Sequence, residues 1–162
     1  MLQLLYRSVA INPELDSSDI EILRAALVNN RAAGVTGYLW RAEMQFFQVL
    51  HGTEDAVRSI FARILKDPRH HSIEVLHDAH TDQPTRFSEW SMGYDIVGAD
   101  ILGVSLQLDG TRPPISPEKA MRVIDEMAQA ARDASEFGGA FPFARKPKES
   151  EGDYIARLAR LT

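Results

Sequence analysis

The feature that most constrains the fold is the segment 37–52, GYLWRAEMQFFQVLHG, in which two apolar runs flank a short charged turn. Strand-forming residues on both sides of a tight turn near Ala42 and Glu43 predict a β-hairpin. Gln48 stands inside the second run, with apolar residues on either side. A buried amide without a hydrogen-bond partner costs on the order of 1–3 kcal/mol. Gln48 must therefore satisfy a neighbouring group or contact a ligand.

The patterns around the hairpin predict an alternating order of strands and helices. Strands are predicted over 2–8, 35–41, 44–52, 72–80 and 86–97. Helices with aliphatic residues at helical spacing are predicted over 17–34 and 53–68. The order β-α-β-β-α-β-β predicts an α+β, ferredoxin-like fold, with two helices on one face of a mixed, mainly antiparallel sheet.

The ends of the first helix are predicted from residues that commonly cap helices. Ser17 or Ser18 is the expected N-cap, because a hydroxyl can accept a hydrogen bond from the first turn. Asn29, Asn30 and Gly34 are expected to end the helix.

The pattern changes after Gly98, where the alternation of strands and helices stops. Ser116 and Pro117 are typical of a helix start, as N-cap and first-turn residue. Helices are predicted over 99–110, 116–132 and 153–161, with an irregular stretch between the last two. We therefore expect two parts, an α+β domain over 1–97 and a helical extension over 98–162.

Composition restricts the classes of function. The 162 residues are 44% hydrophobic and 25% charged, as is usual for a globular protein, and the net charge of −5 argues against binding to nucleic acid. The absence of cysteine excludes disulfides and thiolate sites. The N-terminus has no basic region and too short an apolar run for a signal peptide or membrane span. A cytoplasmic protein that does not associate with membranes is expected.

Histidines are concentrated in one region but do not predict a metal site. His77 and His80 are three residues apart on a predicted strand, so they should face opposite sides of the sheet. No nucleophile elbow, phosphate loop or paired-carboxylate motif indicates an enzyme.

Several polar residues can converge on one face of the predicted sheet. The first and third strands of a ferredoxin-like sheet are central neighbours, so Tyr6 and Gln48 can lie side by side. Asn29 and Asn30 end the helix above them, and the second helix ends at KDPRHH. A slot with these groups at its edge suits a planar heteroaromatic ligand with carbonyl and ring-nitrogen acceptors.

Residues 2–97 resemble the BLUF domain, a family of blue-light sensors that use flavin. The resemblance rests on LLYRS, NNRAAGVTGYLW, FFQVLHG, FARILKDPRHHS and RFSEWSMGY, in the order and at the spacing of the family. It implies a photoreceptor that is not an enzyme, with FAD as cofactor and FMN or riboflavin as alternatives. His51 replaces the glutamate usual in the family; we expect it to follow the strand, face away from the flavin and make a capping or pH-sensitive surface contact.

The resemblance also implies roles for individual residues. Tyr6 matches the photoactive tyrosine, and Gln48 matches the glutamine that bridges it to flavin N5 and the C4 carbonyl. Trp90 and Met92 match the pair that relays the signal from the last strand, and being two apart they should share a face. Further implied flavin contacts are Ile22 and Ile64 on the ring faces, Asn29 and Asn30 at the C4 carbonyl and N3 edge, Arg69 and His70 near the C2 carbonyl and the ring, and Arg63 and Asp67 at the ribityl or phosphate part.

The implied mechanism is a light-driven transfer of an electron and a proton from Tyr6, after which the Gln48 amide is left rotated or tautomerised. An amide suits this task because it carries a donor and an acceptor on one terminal group. The change is expected to bias the last strand and the helix over 117–132. A short BLUF-only protein should act through an unidentified downstream protein and self-associate as a dimer or larger oligomer.

Two other classes of function fit parts of the pattern. Arg7 after the first strand, together with the asparagines at the helix end, could support acyl-phosphate or phosphate-ester hydrolysis. The domain could also be a protein-interaction module that has lost its flavin. The hydrolase leaves Gln48, Trp90 and Met92 without a role, and the colour of the purified protein would separate all three classes.

Overall fold

The structure is a computed structural model that describes the backbone of residues 1–162 and every side chain except that of Ile101. Among these residues the elements are β1 (Leu2–Ala10), α1 (Ser17–Ala33), β2 (Thr36–Ala42), β3 (Gln45–Gly52), α2 (Glu54–Leu65), β4 (His70–His80), β5 (Gly93–Ile96), α3 (Ala99–Leu102), α4 (Pro117–Phe137) and α5 (Glu151–Ala159). None of the described helices combines the length and apolar character that crossing a membrane requires.

The five strands form one sheet in the order β4-β1-β3-β2-β5. All neighbouring pairs are antiparallel except β2 and β5, which are parallel. The ferredoxin-like α+β prediction is therefore confirmed. The central pairing of β1 with β3 sets Tyr6 directly opposite Gln48, an arrangement that the predicted topology allows.

The sheet has an apolar core on each face. On one side, here called the front face, α1 and α2 cover residues such as Leu4 and Leu50. On the back face, Val123 and Met127 of α4 pack with Trp40 of β2. The successive side chains of a strand point to opposite faces, so the three central strands β1, β3 and β2 each supply residues to both cores. The helix α4 therefore covers the face of the sheet that α1 and α2 leave free.

The predicted ends of α1 were partly wrong. The N-cap is Asp16, whose carboxylate accepts a hydrogen bond from the Ser18 backbone N–H at 2.9 Å, so neither serine caps the helix. At the other end, α1 continues past Asn29 and Asn30 and is capped by Gly34 at φ 69°. Glycine adopts this left-handed conformation without the steric cost that a side chain imposes, and the helix therefore continues to the glycine.

The predicted last strand was too long. Only Gly93–Ile96 pairs as a strand, while the preceding residues turn. The Thr85 hydroxyl accepts from the Phe87 N–H at 3.1 Å, and the Phe87 carbonyl accepts from the Trp90 N–H at 2.8 Å. These local bonds compete with strand pairing.

After α4 the chain crosses from the back face to the front face. Phe141 and Phe143 pack against Tyr94. Their ring centroids lie 5.0 and 5.3 Å, respectively, from the centroid of the Tyr94 ring. Tyr154 and Leu158 of α5 are buried in the front core. The predicted short C-terminal helix is thus present and lies against α1.

Candidate functional site

A cavity of about 550 Å³ lies between α1 and α2 above the front face of the sheet. This volume is within the range of ~300–1,000 Å³ that is usual for small-molecule sites. Ten residues to which the sequence analysis gives photochemical or binding roles line it: Tyr6, Ile22, Asn29, Asn30, Gln48, Arg63, Ile64, Asp67, Arg69 and His70. We call this space the first cavity.

Tyr6 and Gln48 form a buried pair on the floor of the first cavity. The Tyr6 phenol donates a hydrogen bond to Gln48 Oε1, and Gln48 Nε2 donates to the Met92 sulfur at 3.5 Å. Burial, with a smaller contribution from the charge of Asp67, raises the pKa of Tyr6, so the phenol is a protonated donor at physiological pH. A thioether is a weak acceptor, so the amide is held firmly at its oxygen and loosely at its nitrogen.

Asn30, which lines the cavity, carries a buried acceptor that the protein does not satisfy. Its Nδ2 donates to the Ser91 carbonyl at 2.9 Å, while its buried Oδ1 has no partner among the described residues. Buried polar groups are nearly always hydrogen-bonded. An acceptor in this position fits an N–H donor of a ligand, such as the imide of a flavin ring.

His70 is fixed by the protein at both ring nitrogens. Nε2 lies 2.8 Å from the Ile64 carbonyl and must donate to it, because a carbonyl only accepts. In the neutral ring, Nδ1 therefore accepts from the Ser8 hydroxyl at 2.7 Å. His70 consequently meets the cavity with its ring, and it ties the start of β4 to the end of α2.

Charged groups surround the opening of the first cavity. Arg69 Nη2 lies 2.7 Å from one oxygen of Asp67 and its Nε 2.9 Å from the other, a two-point ion pair. Burial raises the pKa of Asp67, but the hydrogen bonds from Arg69 outweigh it and hold that pKa below its usual range. Arg63 and Lys66 also line the opening and form no ion pair among the described side chains. Their charges suit a phosphate group.

Some cavity residues were missed by the sequence analysis. Phe46 is two residues before Gln48 on β3, so strand alternation places both on one face. Ile60 is one turn before Ile64 on α2. Ala25 and Ala26 leave space rather than fill it. The remaining lining residues are Glu21, Leu39, Lys66 and Pro68.

Trp90 and Met92 lie outside the first cavity, and the prediction that they share a face was wrong. Met92 is buried in the front core beside Gln48. Trp90 is buried in the back core, where its indole N–H lies 3.1 Å from the Ala131 carbonyl and 3.0 Å from the Ser135 hydroxyl. The turn before β5 sends the two side chains in opposite directions.

His51 also differs from its prediction. It lies within β3 and is only 2% exposed, so it makes no surface contact or cap. Strand alternation does turn it away from the face that carries Gln48. Neither ring nitrogen has a hydrogen-bond partner among the described residues, and burial lowers the pKa of the imidazole.

Comparison with known proteins identifies the family. The family profile "BLUF: Sensors of blue-light using FAD" matches residues 1–93. Photoactivated adenylate cyclase subunit beta of Euglena gracilis is 40% identical over 76 residues, which are 46% of this chain and 9% of that protein. Subunit alpha from the same organism is 32% identical over 92 residues, 56% of this chain and again 9% of that protein. The chain therefore spans only about a tenth of these relatives.

Solved structures agree with this assignment. The photo-activated state of BlsA superposes with a TM-score of 0.66 at 28% identity, covering 78% of this chain and 94% of that one. The dark state of the BLUF protein BlrB superposes with a TM-score of 0.63 at 28% identity, covering 80% and 96%. The profile match, which covers more than half of the sequence, and the shared fold establish that this chain belongs to the BLUF family of flavin-binding blue-light sensors.

Proposed function

We propose that this protein is a blue-light photoreceptor that holds a flavin in the first cavity and signals through the Tyr6–Gln48 pair without catalysing a reaction. The observation that carries the proposal is the direct hydrogen bond between the Tyr6 phenol and the Gln48 amide on the cavity floor. The amide can exchange donor for acceptor by turning, and its nitrogen is held only by a thioether.

The cavity residues fit a flavin in chemistry and shape. Ile22 and Ile64, on opposite walls, would cover the two ring faces, and Asn30 Oδ1 would accept from the imide N–H. Arg63 and Lys66 at the opening would meet a phosphate. Bound flavin supplies the absorption of blue light and a transient acceptor for an electron and a proton from Tyr6.

The response of the protein begins at the Gln48 amide. When the phenol no longer donates its proton to Oε1, the amide loses its strongest partner and turns or tautomerises. The bond from Nε2 to the Met92 sulfur then breaks, at little cost because the acceptor is weak. Met92 is thus the first residue outside the cavity to experience the change.

The two residues before Met92 connect it to helices on both faces of the sheet. The neighbouring Ser91 N–H donates to a carboxylate oxygen of Glu151 in α5 at 2.7 Å. Trp90, one residue earlier, donates to the Ala131 carbonyl of α4. A displacement at Met92 would therefore alter contacts of α5 on the front face and α4 on the back face. The extension over 98–162 is the proposed output part, which acts on a downstream protein and mediates self-association.

The two other classes of function have less support. The hydrolase depends on Arg7, which points to the back face, where it is paired with Glu74 at 2.9 Å and donates to the Pro113 carbonyl at 2.7 Å. It is therefore separated from Asn29 and Asn30 by the sheet. A module without flavin leaves the buried acceptor of Asn30 without a role.

Absorption spectroscopy of the purified protein tests the proposal. The protein should be yellow, and blue light should shift its absorption to the red reversibly. Tyr6→Phe and Gln48→Ala should each abolish the shift while flavin remains bound, because each removes one partner of the pair. Tyr38→Phe is the matched control: Tyr38 is a buried tyrosine in the back core, and its loss should leave the shift intact. Colourless protein that fails to bind added flavin, or a normal shift in Tyr6→Phe, would refute the proposal.

A further inference from the structure

The C-terminal helix α5 is linked to the wall of the first cavity through one carboxylate. Glu151, the first residue of α5, accepts a hydrogen bond from the Ser91 backbone N–H at 2.7 Å. The carbonyl of Ser91 in turn accepts from Asn30 Nδ2 at 2.9 Å, and Asn30 lines the first cavity. A path of two hydrogen bonds therefore joins α5 to the cavity. Glu151 lies outside residues 1–93, which match the family profile.

This path decides which end of the Asn30 amide is left for a ligand. The Ser91 carbonyl can only accept a hydrogen bond, so the amide must turn its nitrogen towards Ser91. Oδ1 is then the end that has no partner among the described residues. An amide that lost its contact with Ser91 would be free to turn, and its NH₂ group would then oppose an N–H donor of the ligand instead of accepting from it.

The backbone at Ser91 depends on Glu151 for its position. Ser91 precedes β5, which begins at Gly93, so it is not fixed by strand pairing along its length. The peptide group between Trp90 and Ser91 is held at both ends: the Trp90 carbonyl accepts from the Gly37 N–H at 3.1 Å, and the Ser91 N–H donates to Glu151. The bond to the carboxylate is charge-assisted and is therefore the stronger of the two.

The carboxylate of Glu151 is itself held in place. Its side chain is only 14% exposed, and Arg145 Nη1 lies 3.9 Å from the same oxygen that accepts from Ser91. Tyr154, one turn later, is buried in the front core and donates to the Phe143 carbonyl at 2.7 Å. The start of α5 is thus anchored, and the carboxylate needs no rearrangement to make its contact.

We propose that Glu151 is a positioning residue for the flavin: it holds Ser91, and through Ser91 it keeps the Asn30 amide turned so that Oδ1 accepts from the imide N–H. This inference rests on the proposed function, which places the flavin ring in the first cavity. It adds that the extension acts on the cofactor site as well as receiving a signal from it. Because such coupling is reciprocal, a protein that draws α5 away from Ser91 would weaken flavin binding.

Titration with FAD of protein freed of bound flavin tests the inference, and quenching of flavin fluorescence gives the dissociation constant. Glu151→Ala and Glu151→Asp should each weaken FAD binding by about fivefold, the contribution of one neutral hydrogen bond from the imide to Asn30. Aspartate keeps the charge but is one methylene shorter. Glu151→Gln keeps an acceptor oxygen at the original reach and should bind FAD within about twofold of the unmodified protein. Asp153→Ala, at the other acidic residue of the first turn of α5, is the matched control; Asp153 is exposed, and FAD affinity should not change.

Two further measurements separate positioning from a general effect on the fold. Asn30→Ala lacks the amide that Glu151 orients, so adding Glu151→Ala to it should not weaken FAD binding further. In flavin-free protein, the side-chain amide protons of Asn30 should exchange with solvent at least about fivefold faster in Glu151→Asp, since the Ser91 carbonyl no longer holds them. NMR spectroscopy measures this rate, and the same spectra verify that each variant is folded.

The outcomes separate this inference from the proposed function. If Glu151→Ala and Glu151→Asp both bind FAD as tightly as Asp153→Ala, the inference is overturned and the photoreceptor proposal stands. Additive losses in Asn30→Ala and Glu151→Ala also overturn the inference. Failure of the folded, unmodified protein to bind FAD overturns the proposed function itself.

Discussion

The buried polar side chains of β3 differ in how well the protein satisfies them. Gln48 has partners for both ends of its amide. His51, three residues later and on the opposite face, has none among the described residues. Burying an unpaired polar group lowers stability by about 1–3 kcal/mol. His51 is therefore a residue where an apolar side chain of similar shape should improve the fold.

We expect His51→Phe to raise the free energy of unfolding at pH 7 by about 1 kcal/mol. Burial lowers the pKa of His51 in the folded state, whereas the unfolded chain takes up a proton below about pH 6.5. The contribution of His51 to stability is thus fully present above pH 6.5 and is lost as the pH falls towards the folded-state pKa. His51→Phe should therefore lose less stability between pH 7 and pH 5.

Urea denaturation at several pH values measures both effects. His80→Phe is the matched control, because His80 is exposed and pairs with Glu54 at the surface. It should change stability by less than about 0.5 kcal/mol at pH 7. A His51→Phe protein that is less stable than the unmodified one would contradict the argument and indicate a partner for the imidazole.

Three elements of the front face are joined by one buried polar group. Asp19 in the first turn of α1 accepts from Arg41 of β2 at 2.9 Å and from the Tyr94 hydroxyl of β5 at 2.6 Å. The Arg41 guanidinium also lies 4.5 Å from the centre of the Phe46 ring. This group fixes the start of α1, and hence the wall of the first cavity, relative to the sheet.

Arg41→Met should lower the free energy of unfolding by about 3–5 kcal/mol, because it leaves the buried Asp19 carboxylate without its cation. Arg58→Met is the control: Arg58 pairs with Asp78 at the surface, where such pairs contribute about 1 kcal/mol or less. Adding Asp19→Asn to Arg41→Met should recover part of the loss. Urea denaturation of the four proteins measures these differences, and equal losses in the two single arginine variants would refute the assignment.

Local sequence patterns predicted most of these elements. The errors arise where turn hydrogen bonds, or contacts with residues far away in the sequence, decide the structure. Ser116 caps α4 as predicted, because an N-cap hydrogen bond joins residues that are close together in the sequence. The predicted topology made Tyr6 and Gln48 possible neighbours, and the strand register pairs them. Sequence patterns could not give the partners of Ser91, because one lies 60 residues later in α5. Alternating apolar residues before β5 resembled a strand, but turn bonds in the folded chain prevailed.

Within the whole molecule, the segment 89–92 is where the cavity, both faces and the C-terminal extension meet. Besides the Ser91 contact with Glu151, Arg145 donates to the Glu89 carbonyl at 2.8 Å and lies 5.0 Å from the Trp90 ring centre. The extension thus contacts three consecutive residues that precede Met92. A displacement of Met92 by Gln48 would therefore alter each of these contacts.

Hydrogen exchange in darkness and under blue light tests this coupling. We expect backbone amides of α5 and the Ser91 amide to exchange faster in the light, since their contacts loosen together. Gln48→Ala, which lacks the amide that we propose to turn, should show equal exchange in both conditions with flavin still bound. Equal exchange beyond residue 97 in the unmodified protein, despite a normal spectral shift, would exclude α4 and α5 as the output route.

The packing of α5 against α1 has a consequence for the order of events during synthesis. Translation proceeds at about 5–20 residues per second, and α5 begins 55 residues after the end of β5. For roughly 3–11 s the sheet and its two front helices are available on the ribosome without α5. In that interval the outer side of α1 is open to solvent. Cofactor uptake can then precede closure, whereas a flavin that binds the finished chain meets α5 already in place.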